Sequence, residues 1–115
     1  MRIRMLPMIT YDFGTIVLIE FPHTDMMSVS RRPALVLYDA GDQDVLVARI
    51  TSQEQNSKAD LKITDWRKCG LLDESYIRLG KLATIEKNFI LRKLGYLEAN
   101  EMIIVKSMMR NIFNL

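Results

Sequence analysis

A chain of 115 residues accommodates one domain and leaves no room for a second core of useful size. Hydrophobic residues at 49% and charged residues at 26% match an ordinary globular protein, which excludes disordered and fibrous classes. Sixteen Lys and Arg against fourteen Asp and Glu leave a net charge of +2, too mild for a histone-like polycation but compatible with a local patch for an anionic ligand.

Residues 1–10 open with the basic stretch Met1-Arg2-Ile3-Arg4 and are expected to form an N-terminal arm ahead of a single domain over residues 11–115. The apolar stretch in this arm is too short for a signal-peptide core, and no run of eighteen uncharged apolar residues occurs anywhere, so a cytoplasmic protein with no membrane partner is expected. The β-branched run Gly14–Phe21 predicts a first strand that ends at Pro22. Residues 22–32 are polar and long for a hairpin connection, which marks them as a candidate functional loop. Pro33–Tyr38 and Val45–Thr51 predict two more strands, joined by a Gly-containing turn over 39–44 into an antiparallel hairpin. Ala59–Thr64 alternates with a period of two, as a half-exposed strand would, and Gly70 is a stop within 66–72. Ser75–Leu79 and Arg92–Leu97 predict further short strands. A C-terminal helix follows, with Glu98 or Asn100 at its start and Met102, Val105, Met109 and Ile112 on one face. Met102, Met108 and Met109 on this helix are read as core filling. Five or six short strands and one helix imply a mainly β protein, either a strongly twisted small sheet or a barrel that curls to protect its edges.

Few residues can carry chemistry. The single cysteine, Cys69, excludes an internal disulfide and a cysteine-based zinc finger, and it is read as an inert small thiol. The single histidine, His23, leaves little from which to build a metal centre, so no metal and no cofactor are expected. Trp66 is read as a core or rim anchor, and Tyr38 and Tyr76 as packed side chains. Arg31-Arg32-Pro33 places two guanidiniums at a strand entry, because proline holds the residue before it extended. Such a pair is either solvated or a fork of donors for phosphate oxygens. Thr51 lies at the same end of the 33–51 hairpin as Arg32; it is either an ordinary β-branched strand residue or a hydroxyl converging with Arg32 on one phosphate. Arg49 and Lys81 are either solvated charges or further contacts to a polyanion backbone.

The ordered segments FPHTDMMSVSRRPALVL (21–37), VARITSQ (47–53) and GLLDESYIRLGKLATIEKNFILRKLGYL (70–97) together resemble the PemK/MazF family of toxins from type II toxin–antitoxin modules. That resemblance implies an SH3-like β-barrel with a C-terminal helix packed on it, acting as a homodimer and held off by a cognate antitoxin. It implies metal-independent, sequence-selective cleavage of single-stranded RNA, in which the ribose 2′-hydroxyl attacks the adjacent phosphate to leave a 2′,3′-cyclic phosphate and a 5′-hydroxyl. By the same match, Arg32 and Thr51 are catalytic and Ser52 contacts phosphate, with Arg78 and Arg31 as further catalytic or phosphate-binding candidates. Two residues beyond the arginine matching Arg78, part of the family carries an aspartate base; here that position is Gly80. His23 in the preceding loop is a candidate substitute base, since only histidine titrates near neutrality without help. The alternative reading is a weak or inactive barrel that binds nucleic acid or an antitoxin-like protein tail.

Overall fold

The computed structural model describes residues 9–22 and 28–115. Six strands and one long helix follow in chain order: β1 (Thr15–Pro22), β2 (Val29–Asp39), β3 (Asp44–Thr51), β4 (Asp60–Lys62), β5 (Tyr76–Glu86), β6 (Ile90–Tyr96) and α1 (Ala99–Phe113), with one 3₁₀ turn at Lys87–Phe89. Every paired neighbour runs antiparallel, in the order β4-β5-β3-β2-β1-β6. No ladder between β4 and β6 occurs among the described residues, so the barrel-like curl is not closed by strand pairing.

The central strands are apolar runs, not simple alternations, because both faces of the sheet are covered. On one face Ile16, Leu35, Ile50, Ile77 and Leu79 pack with Leu97 and with Val105 of α1. On the other, Val17, Ile19, Val36, Val47 and Ile85 pack with Tyr11. The Tyr11 end is tied down by a buried ion pair: Asp39 accepts from the Tyr11 N–H at 2.7 Å, while Lys87 Nζ lies 2.9 Å from the same carboxylate and donates to the Ile9 carbonyl. Burial alone would raise the Asp39 carboxyl; the N–H groups of Tyr11 and Gly41 and the Lys87 ammonium outweigh it and hold the group below its ordinary value.

Several elements depart from the sequence-based expectation, each for a physical reason. β2 begins at Val29, inside the predicted loop, and runs through Pro33. Proline is tolerated there because pairing with β3 starts only at Ala34, whereas residues 29–33 pair with β1 alone. β5 continues from Tyr76 to Glu86, past the predicted end at Leu79. Its register against β3 jumps from Ala48↔Leu82 to Arg49↔Arg78, so Gly80 sits in a bulge, a common place for glycine within a strand. Tyr38 is 64% exposed, not packed: a register shift between Val36 and Tyr38 lets Leu37 take the inward position instead. On α1 the buried residues are Glu101 and Val105, with Met102, Met108 and Met109 against the core, while Ile112 is exposed. Tyr76 is packed as expected, Cys69 is fully buried, and Trp66 packs at the core rim with the Arg67 guanidinium 4.6 Å from its ring centre.

The connection from β4 to β5 shapes the site. Its Gly70 backbone crosses β6 so closely that a Cβ there would lie 1.9 Å from the Leu94 carbonyl oxygen, and a Cβ on Gly95 would lie 2.4 Å from that of Cys69. Gly70 also has φ +81°, a conformation that glycine adopts at little cost. Leu71, buried beside this crossing, anchors the chain, and residues 72–75 emerge next to the ends of β2 and β3.

Candidate functional site

β2 and β3 pair only as far as Ala34↔Arg49. Beyond that point β2 follows β1, with Ile19↔Arg32 and Glu20↔Arg31, while β3 follows β5, with Ile50↔Ile77 and Thr51↔Tyr76. The sheet therefore forks, and the fork is a cleft of about 540 Å³. Arg31, Arg32 and Pro33 line one side; Arg49, Thr51, Ser52 and Gln53 line the other. Leu72, Asp73 and Ser75 from the loop after Gly70 form a third wall, and Arg92 and Leu94 of β6 a fourth. A second depression of about 430 Å³ shares Arg32, Pro33 and Arg49 with the first and is floored by Ile19, Val47 and Ile85.

The structure thus brings Arg31, Arg32, Arg49, Thr51 and Ser52 together. Arg31 is held by Glu20, with Nε 2.7 Å from the carboxylate. Arg32, Arg49 and Arg92 have no ion-pair partner among the described residues, so their donors are open to a ligand anion. The Thr51 hydroxyl accepts the Gln53 N–H at 3.2 Å, which orients its oxygen and leaves the hydroxyl hydrogen available to donate outward. Three unneutralised guanidiniums and a directed hydroxyl suit a phosphodiester: planar forks for the charged oxygens, and one short-range donor to fix the phosphate's rotation.

Arg78 is not among the cleft's lining residues. The β4–β5 register sets Asp60 opposite Arg78, and the two pair at 3.2 Å with Asp60 only 2% exposed. Burial would raise the Asp60 carboxyl, but Ser57, through hydroxyl and N–H, and then Arg78 outweigh it and hold it low. Arg78 is therefore bound up in a structural pair. Lys81 is exposed in the β5 bulge, away from the cleft lining. His23 lies outside the described residues. Two charged lining residues went unrecognised in the sequence, Arg92 and Asp73. Neighbouring side chains of β6 diverge: Arg92 lines the cleft, while Lys93 Nζ sits 5.7 Å from the Tyr11 ring centre. Burial pushes the Cys69 thiol up to about 11, with Glu101 and Glu98 adding to the shift, so the thiol does not act as a nucleophile.

A family model described as "PemK-like, MazF-like toxin of type II toxin-antitoxin system" matches residues 12–113. The chain belongs to this toxin family. Solved structures agree on the fold of this PemK/MazF-like chain. The Mycobacterium tuberculosis toxin MazF-mt6 superposes with a TM-score of 0.72 at 23% identity, covering 88% of this chain and 97% of that one. A MazE–MazF complex from Deinococcus radiodurans gives 0.75 at 15% identity, covering 93% and 99%. An endoribonuclease bound to its cognate antitoxin from a mycobacterial species gives 0.73 at 14% identity, covering 90% and 94%. Comparison with curated proteins yields no significant match. No helix among the described residues is long and apolar enough to cross a membrane.

Proposed function

We propose that this chain is the toxin of a type II toxin–antitoxin module and acts as a metal-independent endoribonuclease on single-stranded RNA. The observation that carries this reading is the forked cleft itself, where Arg32 and Thr51 of a PemK/MazF-like chain meet with Ser52 beside them. In the reaction the 2′-hydroxyl attacks the neighbouring phosphate, and charge accumulates on its non-bridging oxygens. Arg32 meets that charge with a fixed cation, and Thr51 and Ser52 donate hydrogen bonds to it. Arg32 does not serve as the base in its resting form, because a guanidinium retains its proton. Arg49, Arg92 and, once released from Glu20, Arg31 hold the flanking phosphates. The shared arginine rim of the two depressions lets a strand run from one into the other.

The domain is taken as residues 11–115, because Tyr11 is buried and its N–H is bonded to Asp39. A homodimer and a cognate antitoxin are the expected protein partners in the cytoplasm. Exposed Ile103, Ile104 and Phe113 on α1 supply apolar surface for such contacts. Incubation of purified protein with mixed-sequence single-stranded RNA in EDTA tests the reading. Cleavage that is lost in Arg32→Ala and Thr51→Ala supports it. Binding without cleavage by the intact protein favours the alternative of an inactive nucleic-acid-binding barrel.

A further inference from the structure

We propose that Asp73 is the general base that takes the proton from the attacking 2′-hydroxyl; this rests on the nuclease reading above. Among the described residues that line the cleft, no other group suits that role. Gly80 has no side chain to offer, Arg78 is paired with Asp60, and the cleft's guanidiniums hold their protons. Asp73 is the carboxylate residue among the described lining residues. Two other carboxylates are occupied: Glu20 is paired with Arg31 at 2.7 Å, and Glu74 lies 3.4 Å from Lys62. Asp73 has no such partner among the described residues, although Arg31, Arg32, Arg49 and Arg92 line the same space. An unpaired carboxylate keeps its lone pairs for an incoming proton.

The loop presents this group on a stiff support. The buried Ser75 hydroxyl donates to the Asp73 backbone carbonyl at 2.8 Å, and the Ser75 carbonyl accepts the Ile63 N–H at 2.9 Å. On the other side, buried Leu71 and the Gly70–Leu94 crossing hold the chain against β6. Asp73 lines the same cleft as Arg32 and Thr51, which suits a division of labour, with proton removal by the carboxylate and charge stabilisation by the guanidinium and hydroxyl. The step balances: Asp73 accepts the 2′-proton, the 2′-oxygen bonds to phosphorus, the bond from phosphorus to the 5′-oxygen breaks, and that oxygen takes a proton from water. Asp73 then returns its proton to solvent.

The test compares Asp73→Asn, Asp73→Glu, Arg32→Ala and the unmodified protein on a cleavable single-stranded RNA and on its 2′-deoxy analogue, which binds but cannot react. Asp73→Asn is expected to slow single-turnover cleavage about 100-fold or more, the usual scale of general-base loss. It should bind the 2′-deoxy analogue as well as or better than the unmodified protein, since a negative charge has been removed from an arginine-lined cleft. Asp73→Glu, which keeps a carboxylate at this position, should retain far more of the cleavage rate than Asp73→Asn. A rate within about 3-fold of normal in Asp73→Asn, while Arg32→Ala is inactive, overturns the assignment and leaves the nuclease reading intact. Equal loss in Asp73→Asn and Asp73→Glu overturns it in favour of loop structure. Absence of cleavage by the unmodified protein on any single-stranded RNA removes the nuclease reading and the base with it.

Discussion

Salt dependence reports directly how many guanidiniums of the cleft meet phosphate. Arg32, Arg49 and Arg92 line the cleft without an ion-pair partner among the described residues, whereas Arg31 is engaged with Glu20. Each phosphate of a single strand neutralised by a fixed cation contributes about −0.7 to the slope of log K against log salt concentration. Three contacts give a slope of about −2, so raising monovalent salt from about 50 to about 200 mM should weaken binding roughly 20-fold. Removing Arg92 should reduce the slope to about −1.4 and the same salt step to roughly 7-fold. Glu20→Gln should act in the opposite direction, releasing Arg31 as a fourth contact and steepening the slope toward about −2.8. Fluorescence anisotropy with a labelled 2′-deoxy oligonucleotide, titrated at four or more salt concentrations, gives these slopes without interference from cleavage. An Arg92→Ala slope identical to that of the unmodified protein would refute the placement of Arg92 against the strand. A slope shallower than about −1 for the unmodified protein would refute the three-contact count.

Two further predictions concern the scaffold that holds the cleft. Glu101 is almost fully buried in the first turn of α1, where its Oε2 accepts the Thr64 N–H at 3.0 Å. Glu101→Ala strands that N–H and should destabilise the fold by about 1–3 kcal/mol, read as a lower urea midpoint at unchanged m-value. The Asp39 carboxyl titrates below its ordinary value of 3.8 when folded, so its stabilising contribution is present above that pH and is lost as pH falls through the lower, folded value. Thermal unfolding followed between about pH 5 and pH 2 should show this loss, and Asp39→Asn, which breaks the buried pair with Lys87, should flatten the dependence and cost about 3 kcal/mol at neutral pH. A pH profile unchanged by Asp39→Asn would assign the acid sensitivity to other carboxylates.

Much of this arrangement was legible from residue order because it rests on short-range patterns. The β2–β3 hairpin follows from two apolar runs about one turn, and its symmetry alone predicts that Arg32 and Thr51 share an end. What escaped depends on how distant segments cross. Nothing local says that Arg92 on β6 reaches the cleft, because that requires β6 to pair with β1 through Leu18↔Arg92. Nor does anything local place Asp73 there, since its position is set by the close approach of Gly70 to Leu94. The resemblance made Arg78 a site candidate, and only the register of a three-residue strand, β4, shows that Asp60 stands opposite it and pairs with it. Glu101 reads as a solvent-facing charge within a helical pattern, and only the position of the Thr64 backbone explains its burial. Tyr38 turns outward because a bulge interrupts the alternation that would have packed it.

The most direct measurement is the chemical identity of the RNA ends produced by the purified protein in the presence of EDTA. Fragments ending in a 2′,3′-cyclic phosphate, paired with fragments that begin with a 5′-hydroxyl, are expected from the intact chain and should be absent with Arg32→Ala. Fragments carrying 5′-phosphates, or cleavage that survives the loss of both Arg32 and Thr51, would contradict a cleft that works through a guanidinium, a hydroxyl and the substrate's own 2′-oxygen.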